Sequence, residues 1–143
     1  MVNCPKRRTL LQALLASWQF FSQSTFAFKW LGLAFHDMSQ AGTSVVETSS
    51  ARWLRAYGGL PHPNILGGFF MTGAALAATY YLGLLKKFTG PGINLKKLLI
   101  KVLAILLVFL VIFIGLILSF SRNAWLGLAL IFLILFIYYL RRK

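Results

Sequence analysis

Residues 98–143 read LLIKVLAILLVFLVIFIGLILSFSRNAWLGLALIFLILFIYYLRRK, and this stretch decides the fold. It is almost wholly aliphatic and aromatic, with a polar interruption at Ser121-Arg122-Asn123. About 20 apolar residues span the hydrocarbon core of a bilayer, so one helix over the whole stretch would be far too long. The sequence therefore predicts two spans, residues 98–120 and 124–140. We expect the chain to reverse between them, with Asn123 or Ser121 capping the later helix.

Two further apolar runs precede this stretch, at residues 9–28 and 64–85. Lys6-Arg7-Arg8 ahead of the first run would also suit a secretory signal peptide, but bulky phenylalanines occupy its exit, where cleavage needs small residues. We therefore predict a retained span. The second run is rich in glycine and alanine, and pairs such as Gly73/Ala77 let helix backbones approach closely. The predicted fold class is all-α: residues 1–143 form one polytopic membrane domain of about four transmembrane helices.

Polar residues in the first run follow a helical spacing. Gln12, Gln19 and Gln23 recur at steps of seven and four, so they share one face of a helix. Polar side chains in a membrane helix usually face protein or water. We expect the glutamine stripe to pack against the other helices.

Charge predicts the orientation of the chain. Fifteen lysines and arginines stand against two acids, Asp37 and Glu47, and the net charge is +13. So basic a chain can indicate a nucleic-acid partner, but here the charges flank apolar runs, as they do on the cytoplasmic side of membrane spans. We therefore predict no nucleic-acid partner and cytoplasmic termini, with a cytoplasmic connector at residues 86–97 and an outer segment at residues 29–63. The outer cations are then Lys29, Arg52, Arg55 and Arg122.

Two helix N-termini on the predicted outer side form a candidate anion site. Arg55 and His62 precede Asn64, the predicted N-cap of the second span, and Arg122 lies just before the last one. A helix N-terminus exposes unpaired N–H groups and a partial positive charge. Arginine adds a planar fork that binds phosphate oxygens bidentately. The four residues therefore predict a diphosphate site at headgroup depth.

Each of these residues also has a purely structural interpretation. Arg55 and Arg122 would then reach up to lipid phosphates, His62 would be a turn residue and Asn64 a plain cap. Arg52 fits a lipid contact better than a site residue, and Asp37 and Glu47 fit solvated loop acids. The sequence has no metal-ligand spacing and identifies no catalytic residue, so we predict neither a metal nor a cofactor.

The same two stretches carry a resemblance to a known family. Residues 55–68 read RAYGGLPHPNILGG, and residues 121–127 read SRNAWLG. In order, spacing and outer placement they resemble the O-antigen ligase and O-antigen polymerase superfamily. The resemblance covers most of the chain, from the first span onward.

The resemblance implies a metal-independent glycosyltransferase, multi-pass in the bacterial inner (plasma) membrane. Such an enzyme moves a glycan from undecaprenyl diphosphate to a lipid or glycan acceptor, and Arg55 and Arg122 match the positions that hold the carrier diphosphate. Family members are much longer and carry a large outer loop with a histidine implicated in catalysis. The expectation is therefore a fragment or split protein whose partners include membrane lipids and a C-terminal part. The sequence leaves ligase and polymerase open.

Two other functions remain open on the sequence alone. A non-enzymatic anionic-lipid binder or accessory membrane subunit would use the same arginines. A transporter or channel subunit would use them to attract anions, but the predicted spans carry no charge deep in the bilayer.

Overall fold

A computed structural model describes residues 4–31, 33–86 and 95–141 of the chain. Four α-helices dominate it: α1 (Cys4–Ser22), α2 (Pro63–Lys86), α3 (Leu95–Leu118) and α4 (Arg122–Arg141). Between α1 and α2 lie a short 3-10 helix, Lys29–Leu31, and an antiparallel hairpin of β1 (Val45–Glu47) and β2 (Arg52–Leu54). The predicted helical fold is confirmed, whereas the small sheet was not predicted.

Three of these helices are long and apolar enough to cross a membrane, over Pro63–Gly83, Leu98–Leu118 and Arg122–Arg141. They indicate a membrane protein and agree with the three later predicted spans. The first predicted span, residues 9–28, is wrong at its C-terminal end because α1 stops at Ser22 and Gln23 adopts a left-handed φ of 53°. With its glutamines and basic start, α1 is not among the helices apolar enough to span by themselves.

The helices pack in the order α1, α3, α2, α4. Helix α3 contacts α1 and α2, and α2 contacts α3 and α4. Although α1 is less apolar, it lies alongside the others, and its Thr9 and Leu10 line an apolar groove of about 380 Å³ with Tyr81 and Leu107. Helices α3 and α2 are therefore the two inner helices of this row, each with a neighbour on both sides.

Close helix packing depends on glycines other than those predicted. A Cβ added at Gly115 of α3 would lie 2.3 Å from the ring of Phe70, which is fully buried, and one at Gly67 would lie 2.5 Å from Ser121. A Cβ at Gly73 would meet nothing within 4 Å. The prediction that Gly73/Ala77 mediates a close approach is therefore wrong, because at Gly73 the neighbouring helices leave open space.

The chain reverses between α3 and α4, as predicted. Phe120 adopts a left-handed φ of 47°, and Ser121 caps α4 by accepting from the N–H of Ala124 (3.4 Å) with its hydroxyl. Phe113 and Phe132, one on each helix, line the same groove. Of the two caps considered, Ser121 fills the role and Asn123 lies inside the helix.

Most of the predicted connector lies outside the described residues. Residues 87–94, which include the turn signal Gly90-Pro91-Gly92, fall there, and so do the basic residues at 142 and 143. Helix α2 extends to Lys86 and α3 begins at Leu95. The side of the membrane on which each end lies stays a prediction.

Candidate functional site

Arg55 is held in one orientation by three parts of the fold. Its Nε donates to the carbonyl of Ser119 in the α3–α4 turn (2.9 Å), its Nη1 to the hydroxyl of Ser44 just before β1 (3.0 Å), and its Nη2 to Oδ1 of Asn64 in the first turn of α2 (2.6 Å). The side chain is half-buried. All three acceptors are neutral, so they orient the guanidinium without cancelling its charge.

The electrostatic surroundings of Arg55 are unfavourable to a cation. Burial lowers its pKa, Tyr57 opposes this effect, and repulsion from Arg122 lowers the pKa further. Arginine nevertheless stays protonated in proteins. Arg122 is the exposed first residue of α4. Its repulsion of Arg55 means that the two positive charges lie near each other.

Both side-chain carboxylates of the chain are engaged elsewhere. Glu47 forms an ion pair with Arg52 across the β-hairpin (3.3 Å). Asp37 accepts from the backbone N–H (2.8 Å) and the hydroxyl (2.7 Å) of Ser39, and these two bonds lower its pKa. Because the chain has no third acid, the two positive charges at Arg55 and Arg122 are left without an acidic side chain as counterion.

Helix α2 begins one residue earlier than predicted. Pro63 is its first residue, where the missing N–H and fixed φ of proline suit a helix. The carbonyl of His62 accepts from the N–H groups of Ile65 (3.0 Å) and Leu66 (3.2 Å). The prediction that Asn64 is the N-cap is therefore wrong: His62 takes that position, and the amide oxygen of Asn64 accepts from Arg55 instead.

His62 contributes a ring nitrogen to the same helix end. Its Nδ1 accepts from the backbone N–H of Asn64 (3.1 Å), which in a neutral imidazole places the proton on Nε2. Of the four predicted site residues, Arg55, His62 and Asn64 are joined by hydrogen bonds at the start of α2. Arg122 interacts with this group by electrostatic repulsion of Arg55.

The backbone around Arg55 is fixed by the glutamine stripe of α1. Gln19, fully buried, accepts from the N–H groups of Tyr57 (3.0 Å) and Gly58 (2.7 Å) and donates to the carbonyl of Gly58 (2.9 Å). Gln12 accepts from the N–H of Gly59 (2.7 Å). These side chains face protein, but the prediction that they pack against the other helices is wrong, because they bind the backbone of the loop that follows Arg55.

Gln23, the third member of the stripe, binds one residue before Arg55. Its Oε1 accepts from the N–H of Leu54 (2.7 Å), and its amide donates to the carbonyl of Phe20. The three glutamines thus bind the backbone on both sides of Arg55, and α1 serves as its support.

The α3–α4 turn docks onto the other side of the same segment. The N–H of Ala56 donates to the carbonyl of Leu118 (3.1 Å), and the indole of Trp125 donates to the carbonyl of Leu116 (3.1 Å). These bonds satisfy carbonyl groups that the end of a helix leaves without partners. The segment around Arg55 is therefore bonded to Leu118 and Ser119, which lead directly into the second stretch, residues 121–127.

Two residues of this region were not identified from the sequence. The ring of His36 lies 4.3 Å from that of Tyr57, and the hydroxyl of Tyr57 accepts from the N–H of Ser44 (2.8 Å). The ring of His62 meets that of Tyr57 edge-on, with centroids 6.4 Å apart. His36 and Ser44 stand in an irregular polar segment with no periodicity or motif around them, so nothing in the sequence marked them.

The arrangement is suited to binding an anion. It offers guanidinium N–H groups and imidazole rings at a helix N-terminus, which favours negative charge. Within the described ranges, no three His, Cys, Asp or Glu side chains come together as a metal site would require.

No protein-family model, curated protein or solved structure matches this chain. The resemblance to the O-antigen ligase superfamily therefore rests on the two sequence stretches alone. The contacts described above link those stretches in space.

Proposed function

We propose that this chain binds the diphosphate of a polyprenyl-linked glycan and forms part of an O-antigen ligase-like glycosyltransferase. One observation carries the proposal: the guanidinium of Arg55 is oriented by three neutral acceptors beside a second arginine, while both acids of the chain are engaged elsewhere. Two oriented, uncompensated cations favour a ligand with more than one negative charge.

Arg55 retains the donors that such a ligand needs. A guanidinium has five N–H groups, and the three bonds described use one on Nε and one on each terminal nitrogen. One N–H therefore remains on Nη1 and one on Nη2. Phosphate oxygens match this geometry, and the neighbouring N-terminus of α2 adds a favourable dipole.

In the reaction that the resemblance implies, an acceptor hydroxyl attacks the anomeric carbon of the carrier-linked sugar. The bond from that carbon to the diphosphate oxygen breaks, and negative charge develops on the departing diphosphate. Arg55 and Arg122 would stabilise this charge, which is a role for pre-oriented donors in a site of low polarity. The proposal names no particular acceptor, glycan or proton-accepting group. It includes the bacterial inner membrane as the location.

The direct test is ligand binding by the purified chain in nanodiscs. We expect undecaprenyl diphosphate to bind, and Arg55→Ala and Arg122→Ala each to weaken it about tenfold or more, because hydrogen bonds to charged groups contribute about 1.5–3 kcal/mol. Native mass spectrometry or thermophoresis measures the affinity. Unchanged affinity in both variants would reject the site.

The matched control is Arg52→Ala. Arg52 is exposed and lies three residues from Arg55, but its guanidinium is already paired with Glu47. We expect its loss to leave the affinity within about twofold of the original, since an exposed pair contributes little. A loss as large as that of Arg55→Ala would mean that the chain responds to net charge alone.

One observation favours a second function, a non-enzymatic anionic-lipid binder. Neither carboxylate lies at Arg55, so the described part of the site offers no carboxylate as a general base. Phosphatidylglycerol separates the two functions: competition at equal affinity with undecaprenyl diphosphate favours the lipid binder. Preference for the diphosphate favours the glycosyltransferase.

A further inference from the structure

The segment after α1 folds back on itself as an aromatic hairpin, defined here as residues 24–31 and 33–37. Thr25 donates its N–H to the carbonyl of His36 (2.9 Å), and Phe28 and Leu33 exchange backbone bonds at 3.0 and 3.1 Å. The hydroxyl of Thr25 adds bonds to the carbonyl of Ala34 (2.7 Å) and the N–H of His36 (2.6 Å). The Lys29–Leu31 turn forms its tip.

The hairpin presents large apolar side chains away from the protein. Trp30 at the tip is 90% exposed, and Phe26, Phe28 and Phe35 are exposed as well. So many aromatic rings on one surface segment mark an interaction surface. Lys29 places a positive charge beside Trp30 and is exposed too.

This surface continues an exposed apolar stripe of α1. Leu11, Leu14, Trp18 and Phe21 follow one another at helical spacing and are all exposed. The ring of Trp18 meets that of Phe26 edge-on at 5.5 Å, which joins the stripe to the hairpin. The stripe and the hairpin therefore form one continuous apolar surface, which a single occupant would cover.

The length of α1 indicates what that occupant is. From Thr9 to its end at Ser22, α1 covers about 21 Å at about 1.5 Å per residue, against about 30 Å for the hydrocarbon core that α2, α3 and α4 can cross. The hairpin extends the apolar surface past the end of α1. Its irregular backbone is excluded from the hydrocarbon, whereas tryptophan and snorkelling lysine are favoured in the headgroup layer.

We infer that the aromatic hairpin is an interfacial membrane anchor, with Trp30 and its phenylalanines among the lipid headgroups and Lys29 on their phosphates. At the base of the hairpin, the ring of His36 contacts that of Tyr57 in a tilted arrangement, with centroids 4.3 Å apart. The anchor therefore sets the depth at which the Arg55 site lies relative to the bilayer. This inference requires only that the chain be embedded in a membrane and does not rest on the proposed diphosphate ligand.

Tryptophan fluorescence tests it in the full chain. Trp30 becomes the sole tryptophan when Trp18, Trp53 and Trp125 are replaced by phenylalanine, and the protein is placed in phosphatidylcholine vesicles that contain lipids brominated at graded depths. We expect blue-shifted emission, strongest quenching by the shallowest bromine, and iodide quenching at least threefold weaker than for a water-exposed tryptophan. The matched control is Ser50→Trp in a chain without other tryptophans, because Ser50 is exposed in the polar β-hairpin turn.

Removing Trp125 also removes its bond to Leu116, so a second measurement keeps all tryptophans. A spin label on Lys29→Cys, with Cys4→Ser, reports collisions with oxygen and with a water-soluble nickel chelate. We expect oxygen to dominate at position 29 and nickel to dominate at a matched Ser50→Cys label. Water-like readings at position 29, or iodide quenching of Trp30 equal to that at position 50, would overturn the anchor and leave the diphosphate proposal untouched.

Discussion

At the scale of single residues, the position of Arg55 depends on hydrogen bonds to its own side chain and to the backbone of its neighbours. Gln19 is fully buried and makes three bonds to the backbone of Tyr57 and Gly58. Ser119 and Asn64 then determine the direction of the guanidinium itself. The same charge placed on a mobile loop would bind phosphate with less geometric selectivity.

Replacing Gln19 by leucine tests this dependence. The change leaves two backbone N–H groups and one carbonyl buried without partners, and each such group costs about 1–3 kcal/mol. We expect the free energy of unfolding to fall by about 3 kcal/mol or more, measured by denaturant titration in detergent micelles.

The control for that change is Gln40→Leu. Gln40 is exposed, and its backbone alone takes part in the turn bonds to Asp37 and Thr43. We expect it to shift stability by less than about 0.5 kcal/mol, as surface substitutions usually do. Equal stability of the two variants would mean that Gln19 does not support the loop.

The sequence predicted part of this site and missed the rest for a physical reason. Arg55, His62 and Asn64 were grouped because they precede one apolar run, and the structure joins them by hydrogen bonds. Ser44 and Ser119 were missed because they offer the guanidinium a hydroxyl and a backbone carbonyl, respectively, and most serines offer both. A carbonyl acceptor leaves no signature in the sequence.

At the scale of helices, glycines allow close approach where α2 meets α3 and where it meets α4. Gly115 leaves room for the ring of Phe70, which fills the centre of the core. We expect Gly115→Ala to destabilise the chain by about 1–3 kcal/mol, since overpacking forces a buried ring to move.

Gly73→Ala is its matched control. Gly73 lies in the middle of α2, where an added Cβ meets nothing within 4 Å. Alanine is favoured over glycine in a helix by up to about 1 kcal/mol, so we expect unchanged or higher stability. Both variants are compared by unfolding in mixed micelles with increasing sodium dodecyl sulfate. A Gly73→Ala loss equal to that of Gly115→Ala would contradict the packing described.

Helix existence was more predictable than helix ends. Continuous apolar runs predicted α2, α3 and α4 within a few residues. The end of α1 was missed because apolar residues continue to Phe28. The chain instead turns at Gln23, whose side chain binds the backbone of Leu54. Hydropathy records apolar content, and it does not distinguish a helix from an aromatic hairpin that has the same content.

At the scale of the whole molecule, the proposed site requires that both arginines lie on one side of the membrane. Single cysteines at Ser50 and Asn123, in a chain with Cys4→Ser, mark the two regions, and both positions are exposed. We expect a membrane-impermeant maleimide to label both from outside intact cells.

The original chain, in which Cys4 is the one cysteine, provides a separate reference for this labelling. The positive-inside rule predicts that Cys4 lies in the cytoplasm, so we expect it to react only after the cells are permeabilised. Labelling of positions 50 and 123 from opposite sides would rule out a shared site. Labelling of both only after permeabilisation would place the site on the cytoplasmic side and remove the proposed carrier glycan.

The bond from Arg55 to the carbonyl of Ser119 has a consequence for synthesis. A ribosome makes the arginine 64 residues before its acceptor, and the Trp125 that covers the neighbouring carbonyl comes later still. Until the third helix has left the translocon, the nascent guanidinium has only water or lipid in place of that carbonyl. Completion of the cationic pocket is therefore tied to the arrival of the last helix, and a chain stalled before that point carries the arginine but lacks the geometry that aims it.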